Sequence, residues 1–410
     1  MIFRFLKSTF LFVFITVTAC GNTSSQQDQV MTPVATEGSP EEVKKELRLG
    51  AARFEEYLPL LAGKKVGLIG NQTSIIPTEN GNVHLVDSLL SLDVDLRKVF
   101  APEHGFRGTA DAGELIKDGK DTQTGLPVIS LYGNNKKPTS SQLQDLDILV
   151  FDLQDVGLRF YTYISTLHYV MEAAAENDLP VILLDRPNPN AHYIDGPVLE
   201  PQHKSFVGMH PVPVVYGMTI GEYAQMINGE KWLENGIETD LHVIRIENYD
   251  HQLEYDLPVK PSPNLPNARA INLYPSLCFF EGTNVNAGRG TDKQFQVFGS
   301  PFLPREKYDF QYTPQSNEGA KSPKHLGKTC YGKDLSSGPA LDRINLEWLI
   351  NAYRDTSEKS EFFNNFFTNL AGTENLSRQI EKGLSEETIR ESWQPGLKAF
   401  NKIRVSYLLY

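Results

Sequence analysis

Short apolar runs rich in β-branched residues alternate along the middle of the chain with stretches whose apolar positions recur at helical spacing. The runs are residues 65–70, 97–101, 127–132, 147–151, 180–184 and 212–216, with a further one at 241–246. Between them, 85–92 and 162–178 read as helices, and in the second Ile164, Leu167, Met171 and Ala174 share one face. Thr219 and Glu222 have the spacing of a capping box ahead of Ile220, Tyr223, Ala224 and Ile227, so another helix begins there. Strands and helices in alternation are the mark of βαβ units, which predicts a Rossmann-like α/β domain with a parallel sheet over residues 46–260. Near residues 255–270 the texture changes to Pro- and Asn-rich loops. Strand-like pieces at 295–298 and 328–335 and helical stretches at 342–355 and 389–410 then predict a smaller α+β domain over 261–410.

The first residues follow a different logic. Arg4 and Lys7 precede an apolar run at 10–15, and Val17-Thr18-Ala19-Cys20 closes it with small residues before a cysteine. Such a run is too short to span a bilayer and reads as a lipoprotein signal over 1–19, with Cys20 as the lipid anchor of an exported protein held at a membrane of the cell envelope. Residues 20–45 are rich in Ser, Gln, Thr, Pro and Glu and read as a flexible tether.

Charge narrows the choice of partner. The formal net charge is −12, and cleavage before Cys20 removes Arg4 and Lys7 but no acid, which takes it to −14. That balance argues against a nucleic-acid partner. The three cysteines allow one disulfide at most, and the Phe-rich surroundings of Cys278 favour free thiols at Cys278 and Cys330.

In an open parallel sheet, ligands bind beyond the carboxyl ends of the strands. Reading off those ends gives Asn71 after the first run, Glu103 and His104 after the second, Asp152 and Asp155 after the fourth, and Asp185, Arg186 and Asn188 after the fifth. The segment GLIGNQTS lacks the glycine spacing of a dinucleotide site and GRGTD lacks the Lys-Ser/Thr of a P-loop, so no nucleotide is expected. Neither a G-x-S-x-G elbow nor H-E-x-x-H occurs. A divalent cation near Asp152 and Asp155 stays open as an alternative, although no further acids recur there at metal-loop spacing; no metal or cofactor is expected. Carboxylates beside aromatic rings suit glycoside hydrolysis, in which one carboxylic acid protonates the leaving oxygen. Tyr161 and Tyr163 offer ring faces and hydroxyls to a sugar. Arg107, Arg159 and Arg289 each offer a guanidinium to a ligand carboxylate.

The strings APEHGFRG, FDLQDVGLRFYTY, DRPNP, GMTIGE, PSPNLPN and FFEGTNVNAGRGT, in that order, together resemble the bacterial exo-β-N-acetylmuramidases, glycoside hydrolases first described as a domain of unknown function. The resemblance runs from about residue 48 to 410. It implies a Rossmann-like domain joined to a smaller C-terminal one, with a cleft between them that releases terminal N-acetylmuramic acid from the non-reducing end of peptidoglycan fragments. Glu103 stands at the glutamate of the PEHG motif and is implied as the general acid, and Glu114 in ADAGE as the second cleft glutamate. If the substrate's own acetamido group is the nucleophile, Glu114, Asp152 or Asp155 orients it. Asn71, His104, Arg107, Arg159, Tyr161, Tyr163, Asp185, Asn188, Glu281 and Arg289 are the expected substrate-binding residues. Two other classes remain: a muro-sugar-binding lipoprotein without turnover, and a metal-dependent hydrolase.

Overall fold

In a computed structural model of the chain, the structure describes residues 46–106 and 118–410. The signal, tether and Cys20 expected from the sequence lie outside the described residues, as do Arg107 and Glu114.

After α1 (Phe54–Leu61) the chain enters β1 (Val66–Gly70), a hairpin of β2 (Ile75–Thr78) and β3 (Gly81–His84), α2 (Leu85–Ser91) and β4 (Leu96–Ala101). There follow β5 (Gly119–Lys120), β6 (Pro127–Ser130), α3 (Ser140–Leu143), β7 (Ile148–Asp152), α4 (Tyr163–Glu176), β8 (Val181–Leu184), α5 (Ile220–Gly229) and β9 (Leu241–Ile244). The main sheet has the order β5-β6-β4-β1-β7-β8-β9, parallel throughout except for β5. Counting only the parallel strands, this is the doubly wound order 3-2-1-4-5-6 of a Rossmann-like sheet, with its switch point between β1 and β7. β1, β7 and β8 are buried along their whole length, because helices and loops cover both faces, and so they read as unbroken apolar runs. The capping box at Thr219 and Glu222 starts α5 with both reciprocal hydrogen bonds, at 3.2 and 2.9 Å.

The remainder holds α6 (Ala268–Leu277), an antiparallel sheet of β10 (Val297–Ser300), β11 (Phe310–Tyr312) and β12 (Cys330–Asp334) in the order β10-β12-β11, and α7 (Glu347–Asp355), α8 (Phe366–Ala371), α9 (Asn375–Glu381) and α10 (Glu386–Arg404). Cys278 and Cys330 are buried free thiols. One hydrophobic core runs without a break from Ile69 and Phe151 through α4 to Phe280, Phe298 and Phe400.

Three expected elements differ. Residues 212–216 make no strand: Pro211 and Pro213 withhold two backbone donors, and Val215 forms only isolated bridges to Leu158 and Asp195. The helix expected from 342 begins at Glu347, since the Ile344 N–H is taken by Asp195 (2.8 Å). The last helix starts earlier, capped by Ser385, and ends at Arg404.

Arg159 also departs from its expected role. Its guanidinium is fully buried, with Nη1 on the carbonyls of Pro197 (2.7 Å) and Val212 (2.8 Å) and Nη2 on those of Leu370 (2.9 Å) and Ala371 (2.7 Å). It is a bolt between the loops beside the main sheet and the end of α8, with no face left for a ligand. Arg159→Met should strand three of these acceptors, those of Pro197, Leu370 and Ala371, since Val212 O keeps the Leu199 N–H (3.1 Å). Each buried acceptor left unpaired costs about 1–3 kcal/mol, so a fall of at least about 3 kcal/mol in unfolding free energy is expected by urea titration; an unchanged midpoint would mean that water or rearrangement re-satisfies them.

Candidate active site

The turn after β4 presents the candidate acid. Pro102 accepts from the Gly105 N–H (3.0 Å), and His104 and Gly105 both take positive φ, 73° and 75°, so the chain reverses sharply beneath Glu103. Across from this turn, α4 begins. Thr162 occupies its N-cap position yet caps nothing with its side chain; its hydroxyl donates instead to Glu103 Oε2 at 2.8 Å. The phenol of Tyr132 lies beside the same carboxylate. Burial and then the Glu103 carboxylate hold the Tyr132 phenol protonated, well above its ordinary range. The Thr162 hydroxyl therefore helps to fix Glu103, with the Tyr132 phenol next to it.

These groups line a cavity of about 370 Å³. The lining combines Glu103, His104, Tyr132, Tyr161, Thr162 and Tyr163 from the first part of the chain with Ser262, Asn264, Tyr274, Cys278, Glu281 and Arg289 from the C-terminal part. Lys136, Phe206 and Phe366 also line it, with the Lys136 ammonium 4.5 Å from the Phe206 ring centre. Within the C-terminal part of the lining, Arg289 Nε meets Glu281 at 3.0 Å and its guanidinium lies 5.3 Å from the Phe295 ring centre. Burial works against the Arg289 charge, but Glu281 outweighs it and holds the group above its ordinary value. Asn264 gives its amide to Gly319 O (2.6 Å) and leaves Oδ1 buried without a partner among the described residues, an acceptor suited to a ligand N–H or O–H. Cys278 is no nucleophile here, because burial, first, and then Glu281 raise its thiol far above neutrality.

Of the residues singled out from sequence, the structure brings Glu103, His104, Tyr161, Tyr163, Glu281 and Arg289 to this cavity. The two tyrosines meet edge to face at 4.8 Å, and their hydroxyls are already engaged, Tyr161 with Pro261 O (2.9 Å) and Tyr163 with the Asn71 amide (2.7 Å). They offer rings more than hydroxyls.

The other strand-end residues lie behind the cavity and not in it. Both oxygens of Asp152 bind Arg186, at 2.5 and 2.8 Å, and the same guanidinium reaches Ile75 O. Asp155 accepts from Tyr216 and from Gly157 N–H (2.7 Å), and burial pushes its carboxyl up to about 6 against those hydrogen bonds. Asp185 joins Thr219, Gly221 N–H and Tyr410. Asn188 spans Met218 O and Asn190 N–H, and it packs so closely on Gly157, at φ 77°, that a Cβ there would sit 2.3 Å from its amide. Asn71 binds Thr73 and Tyr163. At the switch point itself, Ser74 donates to Asp152 O and Thr73 accepts from Gln154 N–H, so the protein's own hydrogen bonds fill the place where a doubly wound fold commonly holds a phosphate. One group of acids among the described residues stands close enough to share a metal, Glu172, Glu176 and Glu234. It lies away from the cavity, and Lys137 already bridges Glu172 (2.8 Å) and Glu176 (2.7 Å).

Sequence reasoning missed Thr162, Tyr132, Asn264 and Tyr274. Thr162 and Asn264 stand inside FYTY and PSPNLPN, where a hydroxyl without a capping partner three residues on and a loop dense in Pro and Asn were the available signals. Tyr132 had none beyond its place at the end of a strand.

The chain is similar to known proteins over almost all of its described length. Residues 66–269 match the family model described as exo-beta-N-acetylmuramidase NamZ, N-terminal, and residues 272–410 match its C-terminal counterpart. The peptidoglycan beta-N-acetylmuramidase NamZ of Bacillus subtilis strain 168 is 38% identical over 435 aligned residues, covering 100% of this chain and 99% of that protein. The crystal structure of a DUF1343 family protein from Bacteroides fragilis superposes with a TM-score of 0.81 at 43% identity, covering 89% of this chain and 99% of that one. A second DUF1343 structure from the same organism gives 0.76 at 28% identity with the same coverage. Two family models matched in order and a relative aligned end to end mean that this chain belongs to the exo-beta-N-acetylmuramidase NamZ family.

Proposed function

We propose that the chain is an exo-acting glycoside hydrolase that releases terminal, non-reducing β-linked N-acetylmuramic acid from peptidoglycan fragments. The observation that carries this is the cavity of about 370 Å³, whose lining includes the Glu103 carboxyl group and the Arg289–Glu281 pair. Glu103 acts as general acid: it gives its proton to the glycosidic oxygen as the bond to the anomeric carbon breaks. The substrate's acetamido oxygen attacks that carbon, and a water then opens the ring intermediate and returns a proton to Glu103, with retention of configuration, the substrate-assisted exception to the two-carboxylate scheme. Of the three carboxylates considered for orienting the acetamido group, Asp152 spends both oxygens on Arg186, and Asp155, which keeps one buried oxygen unpartnered among the described residues, does not line the cavity; Glu114 is the one we propose. The Asn264 Oδ1 without a partner supports an N-acylated sugar as ligand.

Arg289 is the group for the lactyl carboxylate. With its Nε side against Glu281, its Nη atoms make no hydrogen bond among the described residues, and Arg159, the competing choice, is spent on backbone carbonyls. The global negative charge matters little, because separations beyond about 8 Å are screened at physiological salt.

Cleavage of a chromogenic β-N-acetylmuramide that persists in the presence of a chelator is expected; binding without release would favour a sugar-binding lipoprotein, and loss with chelator a metal-dependent hydrolase. Glu103→Gln should fold and lose about 10²- to 10⁴-fold in turnover on natural glycosides, and a wild-type rate would remove it from the mechanism. Arg289→Met should weaken substrate binding by about 1.5–3 kcal/mol through the lost charged hydrogen bonds and narrow the preference over N-acetylglucosaminides. Unchanged discrimination would show that selectivity has another source. As for location, we propose that lipid on Cys20 holds the protein at a membrane, so that Cys20→Ser appears in the soluble fraction; unchanged sedimentation with membranes counts against the anchor.

A further inference from the structure

Near Glu281 and Arg289, the ammonium of Lys324 is met by backbone oxygens and, among the described residues, by no acid within ion-pair distance. Its Nζ lies 2.9 Å from Phe280 O, 3.0 Å from Val285 O and 3.5 Å from Glu281 O, and it also donates to Thr283 O. An ammonium has three donors and no acceptor, so this group spends its hydrogen-bonding capacity on one short turn. The turn carries Glu281, and the chain continues directly to Arg289. The neighbouring residue adds a second clip, His325 Nε2 to Asn284 O at 2.7 Å, and Asn286 answers by donating its amide to Lys324 O (2.8 Å) and Arg289 O (3.1 Å). On the other side the turn is pressed against α8. Gly282 accepts from Asn364 N–H at 2.9 Å, and a Cβ on Gly282 would lie 2.4 Å from Phe367 Cα.

We propose that Lys324 is a positioning residue for substrate binding: by gathering the carbonyls of residues 280–285 around one ammonium, it fixes the Glu281–Arg289 pair at the cavity wall. The proposal rests on the reading of that cavity as the muramoyl site. Without the charge, carbonyl oxygens that now converge on a cation face one another, and the turn relaxes. Glu103 sits on a different element, the turn after β4, and keeps its partner Thr162. Arg289 meets the lactyl carboxylate, which takes no part in bond breaking, so its contact is the same in ground and transition states. Loosening it raises KM and leaves kcat nearly unchanged.

The charge also lies within reach of solution pH. Burial, first, lowers the ammonium to about 8, with Glu281 opposing and Arg289 adding to the fall. The other ionisable groups around the turn do not change state near that pH. His325 is held below its ordinary value by burial, Cys278 and Tyr274 are lifted far above neutrality, and Arg289 stays charged. Below about pH 8 the ammonium is charged and the wall is set; above it the neutral amine has one donor fewer and KM rises.

The test is the kinetics of wild type, Lys324→Met and Lys324→Arg on a fluorogenic β-N-acetylmuramide between about pH 6.5 and 9.5. Wild-type KM should climb several-fold through about pH 8 relative to Lys324→Arg, which stays charged throughout and should lose that climb, while kcat follows one pH course, set by Glu103, in both; Lys324→Met should show a KM raised about tenfold at neutral pH with no further climb relative to Lys324→Arg. A Met variant with wild-type KM at both ends of the range overturns the proposal, as does one whose kcat falls with its folded fraction while KM stays put. If Lys324→Met does not fold, the wild-type and Arg profiles decide, and a wild-type KM that stays flat relative to Lys324→Arg overturns it. A wild type that cleaves no β-N-acetylmuramide at any of these pH values refutes the reading of the cavity, and the proposal falls with it.

Discussion

A buried guanidinium with no acid partner among the described residues ties two parts of the chain together, and the shape of the cavity depends on it. Arg159 precedes α4 by four residues, and its four carbonyl contacts join the loops beside the main sheet to the end of α8. A buried charge balanced only by dipoles is costly unless its N–H groups have well-placed acceptors, and here Nη1 and Nη2 have two each while Nε has none among the described residues. The acceptors can be in place only when the two parts of the chain are correctly docked. The same docking sets Tyr161, Thr162 and Tyr163 on one side of the cavity and Phe366 and Leu370 on the other. The bolt thus converts a demand for charge solvation into a fixed distance between walls.

The second layer of organisation is the network behind the cavity. Asp152 with Arg186, Asp155 with Tyr216, Asp185 with Thr219 and Tyr410, and Asn188 with Met218 and Asn190 tie strand ends to the loops that follow them. None of these carboxylates faces the cavity. Their work is to hold a polar sheet edge dry, so that the turn bearing Glu103 and the start of α4 rest on a rigid support, as a catalytic constellation requires.

The alternation of short β-rich runs with helical stretches made the parallel sheet legible, because strands covered on both faces are continuous apolar segments. It could not reveal that residues 212–216, equally apolar, are a buried connection, since only Pro211 before the segment and Pro213 within it mark the difference and their effect depends on neighbours distant in sequence. For the site, the rule that polar strand ends gather on one edge located the edge correctly. Yet it could not separate the residues that look into the cavity from those that look at each other. Glu103 and Asp152 occupy similar positions after their strands, and what divides them is the Arg186 side chain, whose direction no sequence pattern encodes. Thr162 escaped notice for a related reason: a threonine at a helix start reads as a cap, and only the three-dimensional neighbour, Glu103, shows where its hydroxyl goes.

The unbroken core has a consequence for how such a protein can change over time. A second core, around Tyr57, Val66, Val150 and Ile182, is closed within the first part of the chain, but Phe151 and α4 belong to the same apolar body as Phe280, Phe298 and Phe400, so a recombination event that swapped the C-terminal part between distant relatives would join surfaces whose side chains do not interlock. Variation in substrate preference must then arrive residue by residue along the cavity walls. The two parts are bound to diverge together, as one inheritance unit and not as exchangeable cassettes.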